Sequence, residues 1–169
     1  MWRCCMLPLL AYVISAAITV GGAPSMRTPE YPHVRSTDAR FAKVIADATR
    51  RSPTFARLHE ALQRTDVILF VEPWPTLDRS LRGRLVFLKA TPVARYLRAD
   101  IRADLSRGEL IETIAHEMQH ALEIALATEV RDTIALGALY RKIGTSTRQH
   151  RYDSDSAYAV GARVRHEAA

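Results

Sequence analysis

Cysteine is nearly absent: the chain has two, Cys4 and Cys5, both at its extreme start. No disulfide framework can therefore organise the remainder. Aromatic residues are sparse as well, at 7% of 169 residues. The net charge of +6 would suit an anionic partner. Yet the arginines are scattered over every segment, without a dense basic block or interleaved aromatics, so no nucleic acid is expected as a partner. Internal repeats are lacking. Long apolar runs are lacking too, apart from Met6 to Val20, which falls short of the about 20 residues that span a bilayer.

That run sits between Arg3 and the small residues Gly21-Gly22-Ala23, before Pro24 and Ser25 turn the chain polar. A short basic start, an apolar stretch and a small-residue exit describe a secretory signal peptide over residues 1–23. Cys4 and Cys5 precede the stretch, so they form no lipobox. The expected location is periplasmic or extracellular, without membrane attachment after cleavage; the alternative is an uncleaved N-terminal anchor. Residues 24–36 carry three prolines and no periodicity, an extended lead-in. Residues 37–169, in a chain 48% apolar and 25% charged, suit one globular domain.

Within that domain, Thr37 or Asp38 can cap a helix with Phe41, Val44, Ile45 and Ala48 on one face. Ser52-Pro53 starts a second helix, ending near Arg64. Asp66 to Glu72, Arg84 to Lys89 and Tyr96 to Ile101 read as three strands, and the last alternates apolar with polar side chains. Short turns between them predict an antiparallel meander. From Ser106 the period becomes helical, with Leu110, Ile111, Ile114, Met118, Leu122 and Ala125 forming a stripe. A further helix is expected over about Val130 to Ile143 with Gly144 as its C-cap, then a loop from Thr145 to Tyr152, then a helix from Ser156 to His166. The fold class is α+β: a short antiparallel three-stranded sheet packed on a metal-binding helix, with flanking N- and C-terminal helices.

The chemistry concentrates in His116-Glu117-Met118-Gln119-His120. On a helix, residues i and i+4 project from one face, so both imidazoles can share one ion. Zinc accepts imidazole nitrogen and, in catalytic sites, keeps one position open for water. Glu117 stands beside the first histidine, placed to take a proton from a water whose pKa the metal lowers. A third ligand is required. Glu123, three residues past His120, shares its side of the helix but lies a turn beyond the pair, a position suited to supporting a ligand. Asp153 and Asp155 flank the start of the last helix, and Asp132 begins another. Arg148, His150, Tyr152 and Tyr158 are candidates to stabilise an oxyanion, with packing as the plainer role for each. His33 and His59 belong to no motif, and Trp74, between two prolines, reads as a loop plug.

The stretch from Thr113 to Ala125 resembles the active-site helix of small bacterial exported proteins similar to gluzincin-type zinc metallopeptidases. The resemblance extends from about Ser52 to Glu167. Such relatives read Phe-Glu-Thr-(Asp/Ala)-Ala where this chain has Tyr152-Asp153-Ser154-Asp155-Ser156. The correspondence implies Asp153 as third ligand, one methylene shorter than the usual glutamate, with Asp155 as the substitute. It implies a zinc hydrolase in which His116, His120 and Asp153 hold Zn2+, Glu117 is the base, and the substrate is a peptide or protein. The competing expectation is an exported metal-binding or structural protein with a vestigial site; the retained Glu117 argues against it, since a structural zinc site needs no base.

Overall fold

Two features of the sequence decide where the central strand goes: a nine-residue connection, 74–82, and a tight turn at Thr91–Ala94. In a computed structural model, which describes residues 31–147 and 151–169, strand β1 (Val34–Arg35) is followed by helices α1 (Ala39–Arg51) and α2 (Pro53–Gln63), and by strands β2 (Val67–Pro73), β3 (Gly83–Ala90) and β4 (Arg95–Ile101). Helix α3 (Arg107–Leu126) and helix α4 (Thr133–Ile143) come next. A small β5 (Thr145–Thr147) and β6 (Arg151–Asp153) pair and α5 (Asp155–Glu167) close the chain. The signal-peptide stretch 1–23 and the first part of the lead-in lie outside the described residues.

The domain is α+β, but the expected antiparallel meander is replaced by a mixed four-stranded sheet in the order β1-β2-β4-β3. The long connection carries the chain across to the sheet edge, where β3 forms. The Thr91–Ala94 turn then folds β4 back into the slot between β3 and β2, antiparallel to the first and parallel to the second. Burial explains why β4 takes the centre. Leu97, Ala99 and Ile101 are buried against the helices with Arg95 just before them, and Asp100, which sequence alternation assigned to solvent, is buried as well. β3 is left as the edge strand, with a register shift between Phe87 and Lys89.

Helices α1, α2 and α3 cover one face of this sheet. Phe41, Phe55, Leu110, Ile114 and Met118 meet Leu69, Val71 and Leu97 there in a continuous apolar core. Each start is fixed by a side-chain cap: Asp38 accepts from the Phe41 N–H, Ser52 from Phe55, and Ser106 forms a capping box with Glu109. The far end of α3 is closed by Arg95. Its guanidinium donates to the carbonyls of Ile124, Ala125, Ala127 and Val130 and forks onto Asp66. Ile124 and Ala125 are among the last carbonyls that a helix end leaves short of partners, and Ala127 and Val130 belong to the turn that follows.

Two boundaries also differ from expectation, while the C-cap at Gly144 falls where expected. α4 begins at Thr133 rather than Val130, because Asp132 caps it through the Ala135 N–H. Gly144 occupies the C-cap position but is extended (φ −89°, ψ 148°), so it does not use the left-handed cap. The expected loop from Thr145 instead holds the β5–β6 pair, whose register sets Thr145 opposite Asp153. Among the described residues, no helix is long and apolar enough to cross a membrane.

Candidate metal centre

Helix α3 sets out the first two functional groups. His116 and His120, one turn apart, place their rings edge to face with centroids 4.7 Å apart and their Nε2 atoms 3.2 Å apart. The third comes from the far side of the chain. Asp153 ends β6, and its Oδ1 lies 3.1 Å from His116 Nε2 and 3.0 Å from His120 Nε2. One atom from each residue thus falls in a cluster able to hold a metal ion.

Why the carboxylate arrives there follows from α5. Ser154 caps this helix, its Oγ accepting from Ala157 N–H at 3.1 Å. Its own N–H donates to Asp153 Oδ1 at 2.9 Å, and its hydroxyl donates to Glu123 Oε1 at 2.6 Å. The N-terminus of α5 is therefore tied to α3 beside the histidines. Farther along, Gly161 allows the two helices to touch: a Cβ there would stand 3.0 Å from the Glu112 carbonyl oxygen.

Glu123 does not face the ligand atoms. Its Oε2 accepts from His120 Nδ1 at 2.9 Å, on the opposite side of the ring. An ionised carboxylate only accepts, so Nδ1 carries the proton and the ring is oriented with Nε2 toward Asp153. Burial and then the His120 and Ser154 hydrogen bonds act on Glu123 in opposite senses, and the bonds win, keeping its pKa below the ordinary range. For His120, burial pulls the pKa down, but the hydrogen bonds to Asp153 and Glu123 outweigh it and push it up to about 9. Asp153 shows the converse: burial opposes ionisation, while bonds to both histidines hold its carboxyl well below the usual range.

Two tyrosines flank the triangle. Tyr140 on α4 sets its ring edge to face with His120, centroids 5.2 Å apart. Burial, then the Glu123 charge, raises its pKa. Tyr158 on α5 packs against His116 at 5.1 Å and is 56% exposed, so its phenol stands at the mouth of the site. A hydrogen bond to Asp153 pushes it up to about 12.

Glu117 is buried on the same helix, and its burial pushes the carboxyl pKa up against the opposing charges of His116 and His120. Its neighbour is the first residue of β3. A Cβ at Gly83 would lie 2.8 Å from Glu117 Oε1 and 2.8 Å from Thr113 Cγ2, so only glycine fits. The metal-site residues, Glu117 and the backbone of the β3 edge line one cleft of about 610 Å³.

The structure thus gathers His116, Glu117, His120 and Asp153, with Glu123 behind them. It leaves the other carboxylates elsewhere: Asp132 caps α4, and Asp155 is exposed in the first turn of α5. Of the proposed oxyanion groups, Tyr158 is at the site, Tyr152 lies on β6, and Arg148 and His150 fall outside the described residues. His33 bonds the Leu62 carbonyl through Nδ1, away from the site. Trp74 lies under the Arg98 guanidinium, 4.4 Å from its ring centroid. Ser154, Tyr140, Gly83 and Gly161 belong to the site without any motif of their own. Ser154 does carry a sequence signal, since a serine two residues before the last predicted helix is a cap candidate. The chain matches no protein-family model, no curated protein and no solved structure.

Proposed function

We propose that the protein is an exported zinc-dependent metallopeptidase. The observation that carries this reading is the delivery of Asp153, from an element 33 residues beyond His120, to within 3.1 Å of both imidazole Nε2 atoms. Two imidazoles and one carboxylate are a donor set of catalytic zinc sites. Ligands about 2.05 Å from zinc in a tetrahedron stand about 3.3 Å apart, and the observed edges of 3.0, 3.1 and 3.2 Å come within a few tenths of that.

Zinc held there would supply Lewis acidity, polarising the scissile carbonyl and lowering the pKa of a water molecule. Glu117 is placed to receive that water's proton and return it to the departing amine. Gly83 leaves room for the Glu117 Oε1, 2.8 Å from where a Cβ would stand. Tyr158 offers a hydroxyl at the mouth for the oxyanion. The exposed edge of β3 beside these groups suits an extended peptide, whose backbone can pair with the strand. Export is assigned to Arg3 and the Met6–Val20 run, and protein from the host should show a new N-terminus near Pro24 by mass spectrometry.

The decisive experiment compares wild type with Glu117→Gln for metal content and for cleavage of a peptide library. Both should carry close to one zinc per chain, and only wild type should cleave. Equal cleavage by the two proteins, or no zinc in either, would overturn the reading.

A further inference from the structure

The metal centre lies where two recesses of unlike character meet. They share Gly83, His116, Glu117, Asp153 and Tyr158. The smaller, about 320 Å³, extends past Arg82, Glu112 and Thr113. Its end is crossed by the Arg82–Glu112 pair at 3.5 Å. The larger, about 610 Å³, extends between β3 and α4, with Arg84 and Leu85 on one wall and Leu136 and Tyr140 on the other.

Helix α4 builds its wall in a particular way. Thr133, Leu136, Gly137 and Tyr140 all line the recess, and their spacing of i, i+3, i+4 and i+7 is one helical face. In the middle of that face stands a glycine. Glycine inside a helix is less favourable than alanine, so its presence calls for a reason. Backbone conformation supplies none, because Gly137 lies within a regular helix and not in the left-handed region. Packing supplies none either. A Cβ there would meet only the guanidinium of Arg141, at 3.4 Å, whereas Gly83 and Gly161 are each pressed against a neighbour at 3.0 Å or less. What the missing side chain at 137 does leave is room in the recess.

Resting on the peptidase reading, we infer that the larger recess receives a bulky apolar side chain next to the scissile bond, that the smaller one admits only a small or polar residue on the other flank, and that Gly137 sets the size of the apolar pocket. Leu85, Leu136 and Tyr140 gain from burying an apolar side chain, and the Arg84 guanidinium in the lining is already paired with Asp100. Leu136 and Tyr140 also pack against the core, so the wall is backed and not a loose flap.

The test uses the full-length zinc-loaded protein on a peptide library holding every residue type, with products identified by mass spectrometry. Leu, Phe and Met should be enriched on one flank of the cleaved bond and absent from the enrichment on the other. Gly137→Leu, which favours the helix, should fill the pocket. The ratio of cleavage at Leu or Phe sites to cleavage at Ala sites should then fall by about tenfold or more, with zinc per chain and circular dichroism as in wild type. Gly137→Ala should fall between them and guards against a folding defect in the larger variant. Glu117-dependent cleavage without apolar enrichment on either flank would overturn the inference while leaving the peptidase reading intact. So would a folded, zinc-loaded Gly137→Leu with the wild-type profile. No Glu117-dependent cleavage at all would overturn both.

Discussion

Truncating Glu123 separates the holding of a metal from the orienting of its ligand. Glu123→Ala removes the acceptor for His120 Nδ1 at 2.9 Å and for the Ser154 hydroxyl at 2.6 Å. The ligand atom Nε2 survives, but nothing then fixes the tautomer or the ring angle. Loss of such a supporting carboxylate typically lowers metal affinity by about 10–100-fold, or about 1.4–2.8 kcal/mol. The fold should suffer independently of metal, since a buried donor left without a partner costs about 1–3 kcal/mol and Ser154 is only 6% exposed. Asp153→Ala acts differently. It deletes a ligand outright and leaves two imidazoles, so the affinity loss should exceed about 100-fold. Glu123→Gln, which keeps a carbonyl acceptor for His120, should recover most of the affinity. Competitive titration of each variant with a chromogenic chelator measures the binding, and thermal melts in excess chelator measure the metal-free fold. Should Glu123→Ala release zinc more readily than Asp153→Ala, the assignment of Asp153 as the ligand and Glu123 as its support is wrong.

Other perturbations follow from the same contacts. Gly83→Ala would place a Cβ 2.8 Å from Glu117 Oε1; a displacement near 1 Å at a reacting group can cost about 100-fold, so kcat/KM should drop by that order with zinc stoichiometry retained, and full activity would exclude close positioning by Gly83. Arg95→Met should remove the C-terminal closure of α3, lowering stability by about 1–3 kcal/mol for each buried carbonyl left without a donor and the melting temperature by on the order of 10 °C; a shift of only a degree or two would show that water replaces the guanidinium. Glu167, on α5, accepts from Ser52 Oγ, Thr54 N–H and Thr54 Oγ1 at the start of α2, and chiefly the Ser52 bond holds its pKa down at about 2. Because the folded value lies below the ordinary value of about 4.3, its stabilisation is complete above about pH 4.3 and is lost as pH falls toward about 2. Chemical denaturation should show a shallower decline across that window for Glu167→Gln than for wild type, and parallel curves would contradict the contact.

What the sequence discloses and what it withholds divide along the range of the forces involved. Helix starts are local, so Asp38, Ser52-Pro53 and Ser106 mark α1, α2 and α3 nearly to the residue. The His116/His120 pair is equally local, a matter of spacing on one helix. Strand order is not local. Asp100 reads as part of a solvated face and Arg95 lies just before the expected strand, yet Arg95 is neutralised by Asp66 and Asp100 by Arg84 and Arg98, partners that are 29, 16 and 2 residues away. Paired in this way they can be buried, and β4 can occupy the centre of the sheet. The third ligand is a mixed case. Position before a helix start put Asp153 among the candidates, and the resemblance singled it out. Its meeting with the histidines depends on Gly161 and Ser154, whose effect is visible only once α5 lies against α3.

That docking bears on the shorter ligand. An aspartate reaches about one methylene less far than a glutamate, so a site built for three ligands must bring the aspartate's backbone closer to the histidines. Helix axes are kept apart by the side chains between them, commonly at 8–10 Å, and the smallest residue permits the closest approach. Gly161 lies opposite Glu112 and His116, the first ligand, with the nearest backbone oxygen where a Cβ would come within 3.0 Å. The same helix carries Ser154 at its cap, bonded to the carboxylate that orients His120. Close helix contact and a shared hydrogen bond thus act on the one terminus from which Asp153 reaches in. The short reach of an aspartate is matched by the absence of a side chain two turns into α5. An aspartate at 153 is therefore compatible with a cluster able to hold a metal ion, and its shortness by itself is no mark of a vestigial one.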